Sequence, residues 1–316
     1  MGSFTRSLTL FFMLQGAGDS GAAQTVAGRV VKPGDHRMDP IAGMWVTLHR
    51  VGSDTQGPLD SVRTDRLGQY SFKYAKTGSE DAIYFVSGMY RGIAYFTPPL
   101  QAANASGIDA EVTVFDTTSR HVPISVRGHH IVVSAVDASG MRAIVEVYDL
   151  VNDSSVTKVV TTSAPPVWSA ALLPAATTAS AREGDFPAAS VSFNDGRVNL
   201  LAPFAPGLKQ LAFGYSVPAK SFPITFPLMD TTGVLEVLVE EKTGNAAGAK
   251  LKEVQPVTVD ERSFRRFLAN DIPKNAIATI DLPAPAPATD ARYLVALTFI
   301  LGAVMIAVLA HALKRK

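Results

Sequence analysis

Residues 293–313, YLVALTFILGAVMIAVLAHAL, contain no Asp, Glu, Lys or Arg and are followed at once by Lys314, Arg315 and Lys316. As an α-helix rising about 1.5 Å per residue, the run reaches roughly 30 Å, the thickness of a bilayer core. The Lys/Arg cluster predicts a cytoplasmic end. A helix packed inside a soluble core rarely stops in three bare cations. The pattern therefore predicts one C-terminal transmembrane helix over 293–313, with 314–316 as a cytoplasmic basic tail. The bilayer is then the first expected partner, contacted through 293–313. Thr298 with Gly302, and Ala303 with Ala307, lie four positions apart and offer narrow faces for a second membrane helix. Ordinary lipid-facing variation would look the same. With no carboxylate or amide in its apolar centre, the segment does not resemble a transport path.

The other end predicts the orientation. Arg6 precedes a short apolar core, LTLFFML at 8–14, and Gly21, Ala22 and Ala23 are small enough for cleavage before Gln24. Residues 1–23 thus read in outline as a secretory signal, the alternative being a loosely docked or disordered tail. Cleavage would give a single-pass protein of a bacterial cytoplasmic membrane, its bulk periplasmic or extracellular. A chain without a signal would be tail-anchored, with its bulk in the cytoplasm. Just ahead of the helix, residues 283–292 read PAPAPATDAR, an extended and semi-rigid Pro/Ala stem. Fully extended at roughly 3 Å per residue, it spans about 30 Å.

Composition narrows the remaining classes. The chain has no cysteine, which excludes disulfides and thiolate chemistry. Its formal net charge is +1, and Arg6, Arg292 and the terminal Lys/Arg cluster account for that excess, leaving a mildly acidic middle. That balance offers no electrostatic case for nucleic acid.

Between the two ends the pattern is strand-like. MWVTLHRV at 44–51 and QYSFKY at 69–74 alternate bulky apolar with polar positions, and AIYFVSG and GIAYFTP add short aromatic or β-branched runs. Gly and Pro punctuate them. Period-two alternation puts Tyr70, Phe72 and Tyr74 on one face, read here as core, with an exposed sugar-binding row as the alternative. Gly68 is expected to supply a left-handed turn and Asp65 to cap it.

VAGRVV, DPIAGMWVTLHRV and SVRTDRLGQYSFKY together resemble a carboxypeptidase regulatory-like domain. The resembling elements are Gly28, Pro40, Gly43, Thr64-Asp65, Gly68 through Phe72, and the later aromatic strand at 84–86. The resemblance covers residues 24–102, about a quarter of the chain. It implies a transthyretin-like β-sandwich acting as a spacer, folding aid or binding module, and it carries no catalytic residues.

Residues 103–282 form a second β-rich region of one or two sandwiches, only loosely immunoglobulin-like. In 144–149, Val145, Val147 and Asp149 share a face opposite Ile144, Glu146 and Tyr148. Asp149 to Asp153 is read as a surface turn rather than a metal site. Asp195-Gly196 signals a hairpin. DERSFRRFLAND at 260–271 reads as a short helix, Asp260 its N-cap, with Phe264, Phe267 and Leu268 on one face. Residues 174–190, rich in Pro, Ala, Ser and Thr, read as an exposed binding loop pinned at its base by Trp168, Leu172 and Leu173.

Chemistry-bearing motifs are sparse. Asp35, His36 and Asp39 fall in a turn-rich loop. His129 and His130 are adjacent in a strand, so they point apart and cannot clamp one metal ion together. No zincin motif, phosphate loop, dinucleotide fingerprint or nucleophile elbow occurs. No catalytic, cofactor-binding or metal residue is assigned, and no cofactor is expected.

The expected fold is therefore mainly β, a tandem antiparallel β-sandwich ectodomain followed by one transmembrane helix. The expected role is noncatalytic: a membrane-anchored scaffold, an accessory subunit of a larger bacterial envelope or energy-transducing complex, partnered with an integral membrane protein. A carbohydrate, ion or adhesion-ligand module is the alternative and requires an exposed aromatic row or a convergent polar pocket. A cryptic enzyme is the third reading.

Overall fold

The computed structural model describes residues 23–161, 165–259 and 261–283. The segments read as transmembrane helix, basic tail and signal, apart from Ala23, lie outside the described residues. So do Thr298, Gly302, Ala303, Ala307 and stem residues 284–292. The described residues are mainly β and include no α-helix. No helix among them is long and apolar enough to cross a membrane. The chain divides into two compact units: the first runs to Thr118 and includes Ser155–Thr157, and the second holds Ser119–Ser154 and everything from Lys158 onward. The division falls after the expected boundary at 102/103.

Unit 1 contains β1 (Ala23–Pro33), β2 (Met38–Pro40), β3 (Trp45–Val51), β4 (Gln56–Arg63), β5 (Gln69–Ala75), β6 (Ile83–Tyr90), β7 (Ile93–Phe96), β8 (Asn104–Thr113) and β9 (Asp116–Thr118). One sheet is built around β1, with β5 and β2 antiparallel on one flank and β8 parallel on the other. The second sheet runs β4-β3-β6-β7, all antiparallel. Strict alternation makes each strand two-faced: in β3, Val46, Leu48 and Arg50 are buried while Trp45 is exposed. Val26, Val30, Val46, Leu48, Val86 and Val112 are wholly buried in this unit.

Tyr70 and Phe72 join the core as the alternation requires, and the Tyr70 hydroxyl donates to the Ala110 carbonyl at 2.6 Å. The turn before them is built as expected. Asp65 Oδ1 accepts from the backbone N–H groups of Leu67 and Gln69, both at 2.8 Å, and Gly68 has φ +74°. Buried Arg50 is satisfied by Asp54, by the carbonyls of Thr55 and Thr77, and by the Thr55 hydroxyl.

The remaining strands are β10 (Ile124–Val133), β11 (Met141–Asn152), β12 (Val156–Lys158), β13 (Trp168–Ala171), β14 (Thr177–Ala181), β15 (Val191–Asn194), β16 (Arg197–Leu200), β17 (Gly207–Pro218), β18 (Ile224–Leu228), β19 (Thr232–Val239), β20 (Asn245–Gly248), β21 (Lys252–Val259), β22 (Arg262–Ile272) and β23 (Ala276–Asp281). Strand β12 pairs with β9. Unit 2 has a seven-stranded sheet, β14-β17-β11-β10-β19-β22-β21. Two three-stranded sheets, β13-β16-β15 and β18-β23-β20, make the other layer. One core cluster joins Ile131, Ile144 and Leu235 of the large sheet to Trp168, Leu200, Phe226 and Ile280 of the small ones. Asp195 (φ +52°) and Gly196 (φ +66°) form the β15–β16 hairpin.

Three expectations are corrected. The pairing is not purely antiparallel, because β1–β8 and β10–β19 are parallel. Where a helix is expected over 260–271, Asp260, the expected N-cap, lies outside the described residues, and residues 262–271 lie in strand β22. Its Phe264 and Phe267 are both buried although three residues apart, the spacing that imitates a helical face. Ladders to β19 and β21 on both flanks override that local signal. Nor does 174–190 project as a loop. Strand β14 pairs with β17, the Arg182 and Asp185 N–H groups continue to the carbonyls of Ala212 and Gln210, and Phe186 is buried 5.4 Å from Phe204. Strand pairing and the buried Phe186 together dock the tract.

Candidate functional site

The outward face of the β4-β3-β6-β7 sheet carries most of the exposed aromatic surface of unit 1. Alternation sends Val46, Leu48, Tyr84 and Val86 inward, so Trp45, Thr47 and His49 of β3 and Ile83, Phe85, Ser87 and Met89 of β6 face out. Antiparallel register then assembles them: His49 lies opposite Phe85, Val51 opposite Ile83, and Ser87 opposite both Thr47 and Phe96. The His49 and Phe85 rings stack at 5.1 Å, and Phe85 meets Phe96 edge-on at 5.7 Å. Trp45 pairs with Arg63, whose guanidinium sits 4.9 Å from the indole centroid.

Trp45, Met89 and Phe96 are each more than half exposed, at 54%, 61% and 56%, and Ile83 is 46% exposed. Scattered apolar side chains on a surface need no explanation, but a contiguous set does. The polar groups among them are mostly committed. His49 Nε2 is 2.8 Å from Ser87 Oγ, and the Thr47 and Ser61 hydroxyls are 2.9 Å apart. Partial burial pushes His49 below its usual range, which keeps it neutral at pH 7. None of the residues named on this face carries a carboxylate. The sheet's edges are guarded: β7 is four residues long, and β4 carries Pro58 and a register shift beside it. Such edges are poor templates for a further strand.

In unit 2, adjacency on β10 does send the two histidines to opposite sides of the large sheet. His129 is buried, and its Nε2 is 2.8 Å from Glu146 Oε2. Glu146 also accepts from the hydroxyls of Tyr215 at 2.6 Å and Tyr148 at 3.1 Å. Burial, reinforced by the Glu146 charge, pushes both tyrosines far above their usual range, so both remain donors. His130, about a third exposed, has Nδ1 2.7 Å from Glu236 and Nε2 3.2 Å from Asp149. Arg266 also reaches Glu236, at 2.6 Å, and Gln210 reaches Asp149. Asp149 thus sits in a sheet-surface network rather than a turn. Alternation in the sequence places Glu146 beside Ile144 and Tyr148, but only tertiary pairing reveals that this inward face buries a carboxylate.

Other polar groups picked out from the sequence remain apart. Among the described residues the Asp39 side chain pairs with the neighbouring Arg37, and His121 is exposed in the β9–β10 connection. Among the described residues no group of three or more His, Asp or Glu side chains is placed to hold a metal ion. Glu146 meets three groups, the Tyr148 and Tyr215 hydroxyls and His129 Nε2. No protein-family model matches this chain, and no curated protein matches it.

Proposed function

We propose that this chain is a noncatalytic, membrane-anchored scaffold that docks a protein partner on the outer face of its β4-β3-β6-β7 sheet. In this reading residues 293–313 span the bilayer, 283–292 form the stem, and the β units lie on the far side from Lys314–Lys316. The partner is an integral membrane protein or envelope complex, and the chain is its accessory subunit. Confinement to the membrane raises the effective concentration of a modest contact without any chemical step.

The observation that carries the reading is the contiguous exposure of Trp45, Ile83, Met89 and Phe96 beside Arg63. Trp, Met, Phe and Arg are the residues enriched where proteins meet. In this reading unit 1 is a binding module of the carboxypeptidase regulatory-like kind. Thr47, Ser61 and Ser87 hydroxyls among the rings favour a second reading, a glycan site. The aliphatic Ile83 and Met89 and the absence of carboxylate or amide side chains from this set favour protein.

The test is gentle detergent extraction of the native membrane, with recovery of stoichiometric partners by wild type and by a Trp45→Ser/Phe96→Ser variant. Loss of the partner from the variant alone supports the reading. Recovery of the wild type as a free monomer under several gentle conditions contradicts it. Glycan-dependent thermal stabilisation of the wild type, absent in the variant, favours the second reading.

A further inference from the structure

A cation, Arg63, is built into the exposed aromatic face of unit 1. It ends strand β4 directly opposite Trp45 of β3, and its guanidinium lies 4.9 Å from the indole centroid. Stacking of this kind holds the planar cation in place and leaves the N–H donors along its edge available. Among the described residues no carboxylate pairs with Arg63. The acidic groups nearest in sequence are engaged elsewhere. Asp60 Oδ1 accepts from the Ser61 N–H group at 2.7 Å, and Asp65 Oδ1 from those of Leu67 and Gln69 at 2.8 Å. Arg63 also lines an open hollow of about 870 Å³ with Arg29, Asp65 and Glu111, and there Arg29 and Glu111 pair with each other at 2.8 Å.

A partner that covers Trp45 also covers the guanidinium stacked on it. Taking a charge out of water without a counter-charge is costly. The polar groups of the face cannot supply one. The Thr47 and Ser61 hydroxyls engage each other, His49 meets Ser87, and all four side chains are neutral at pH 7. The counter-charge must then come from the partner. Carbonyl oxygens would satisfy the N–H donors but leave the charge unbalanced. A carboxylate does both, and its two oxygens match the guanidinium fork.

We infer that the partner protein's contact segment carries a carboxylate, an Asp or Glu side chain or a chain terminus, that pairs with Arg63 over the Trp45 ring, while apolar side chains beside it meet Ile83, Met89 and Phe96. The inference rests on the docking reading and specifies its chemistry. A purely apolar segment would strand the Arg63 charge, and a basic one would be repelled by it.

The test uses the full chain in gently solubilised native membranes, with a photocrosslinker at Phe96 reporting the partner. Arg63→Gln, Arg63→Glu and Arg63→Lys are compared with wild type, and thermal melts check that each folds, as the exposure of Arg63 allows. Adduct yield should fall at least about tenfold in Arg63→Gln, vanish in Arg63→Glu and be partly kept in Arg63→Lys. Added NaCl should release the wild-type partner and leave the residual binding of Arg63→Gln nearly unchanged. A water-soluble carbodiimide, which condenses an amine with a carboxylate, reads the partner's group directly. Arg63→Lys should then give a zero-length adduct of the same partner, mapped to position 63, that wild type does not form. If Trp45→Ser releases the partner while Arg63→Gln and Arg63→Glu both keep it, the docking reading stands and the carboxylate inference falls. Retention of the partner by Arg63→Lys without the carbodiimide adduct also overturns the inference. If neither Trp45→Ser nor any Arg63 variant changes retention, the docking reading fails and takes the inference with it.

Discussion

His129 and His130 are neighbours in one strand, yet they serve opposite faces of the same sheet. His129 Nε2 is sealed 2.8 Å from Glu146, and His130 Nδ1 lies 2.7 Å from Glu236 on the half-exposed side. Burial decides what each contact contributes. Removing a donor from a buried carboxylate leaves an unsatisfied lone pair and costs about 1–3 kcal/mol. A partly exposed ion pair contributes about 0–1 kcal/mol. Urea unfolding of Tyr215→Phe, which removes the other short contact to Glu146, should therefore show a loss of about 1–3 kcal/mol. His130→Ala should lose about 1 kcal/mol or less.

Glu236 gives the outer network a pH signature. Burial pushes its carboxyl up, but the hydrogen bonds from His130 and Arg266 together outweigh that and hold it below 4.5, its ordinary value. A carboxyl that is lower in the folded than in the unfolded state contributes stability that is complete above the unfolded value. The contribution is lost as pH falls through the folded one. Wild type should thus lose stability on acidification below about pH 4.5. In Glu236→Gln that component should be missing, so its stability should fall less steeply across the same window.

Gly28 is a close-approach glycine. A Cβ built there would overlap the Ala110 carbonyl oxygen and lie 2.7 Å from the Tyr70 hydroxyl, two groups that are themselves hydrogen-bonded. Both neighbours are fixed, so the strands must separate to admit a methyl group. Gly28→Ala should cost about 3 kcal/mol, at the upper end of overpacking penalties, seen as a lower urea midpoint. Gly43 faces open space, where an added Cβ would meet nothing within 4 Å. Its φ of +69° alone makes Gly43→Ala unfavourable, by about 1 kcal/mol.

Substitutions on the outer face of unit 1 should separate binding from stability. Trp45 and Phe96 are more than half exposed and contribute little to the core. Trp45→Ser and Phe96→Ser should each shift unfolding by less than about 0.5–1 kcal/mol. Phe85→Ser should cost more, since that ring is packed between His49 and Phe96. Thermal melts of the three variants side by side check the ranking.

How much of this is legible in the sequence differs from element to element. Strands whose two faces differ in polarity, such as those of Trp45 and Tyr70, follow from alternation alone. So do the Asp65–Gly68 turn and the Asp195-Gly196 hairpin, because left-handed backbone selects few residue types. Strand β22 hides behind Phe264 and Phe267, which mimic a helical period, and only pairing with β19 and β21 decides otherwise. The tract at 174–190 resembles a loop because β14 contains no bulky side chain and owes its place to β17. The candidate face needs the register between three strands to bring Trp45, Phe85 and Phe96 together. Period-two logic sets His129 apart from His130, but the contact of His129 with Glu146 depends on which strand lies beside β10. Adjacency of that kind belongs to topology.

The proposed docking face is tested most directly by site-specific photocrosslinking of the full chain in native membranes. A crosslinker is placed at Phe96, and a control crosslinker at Lys73, which is exposed on the other sheet of unit 1. A discrete adduct from position 96, absent from position 73 and lost when Trp45→Ser is added, is the predicted result. Equal adducts from both positions, or none from 96 while 73 gives one, would contradict it.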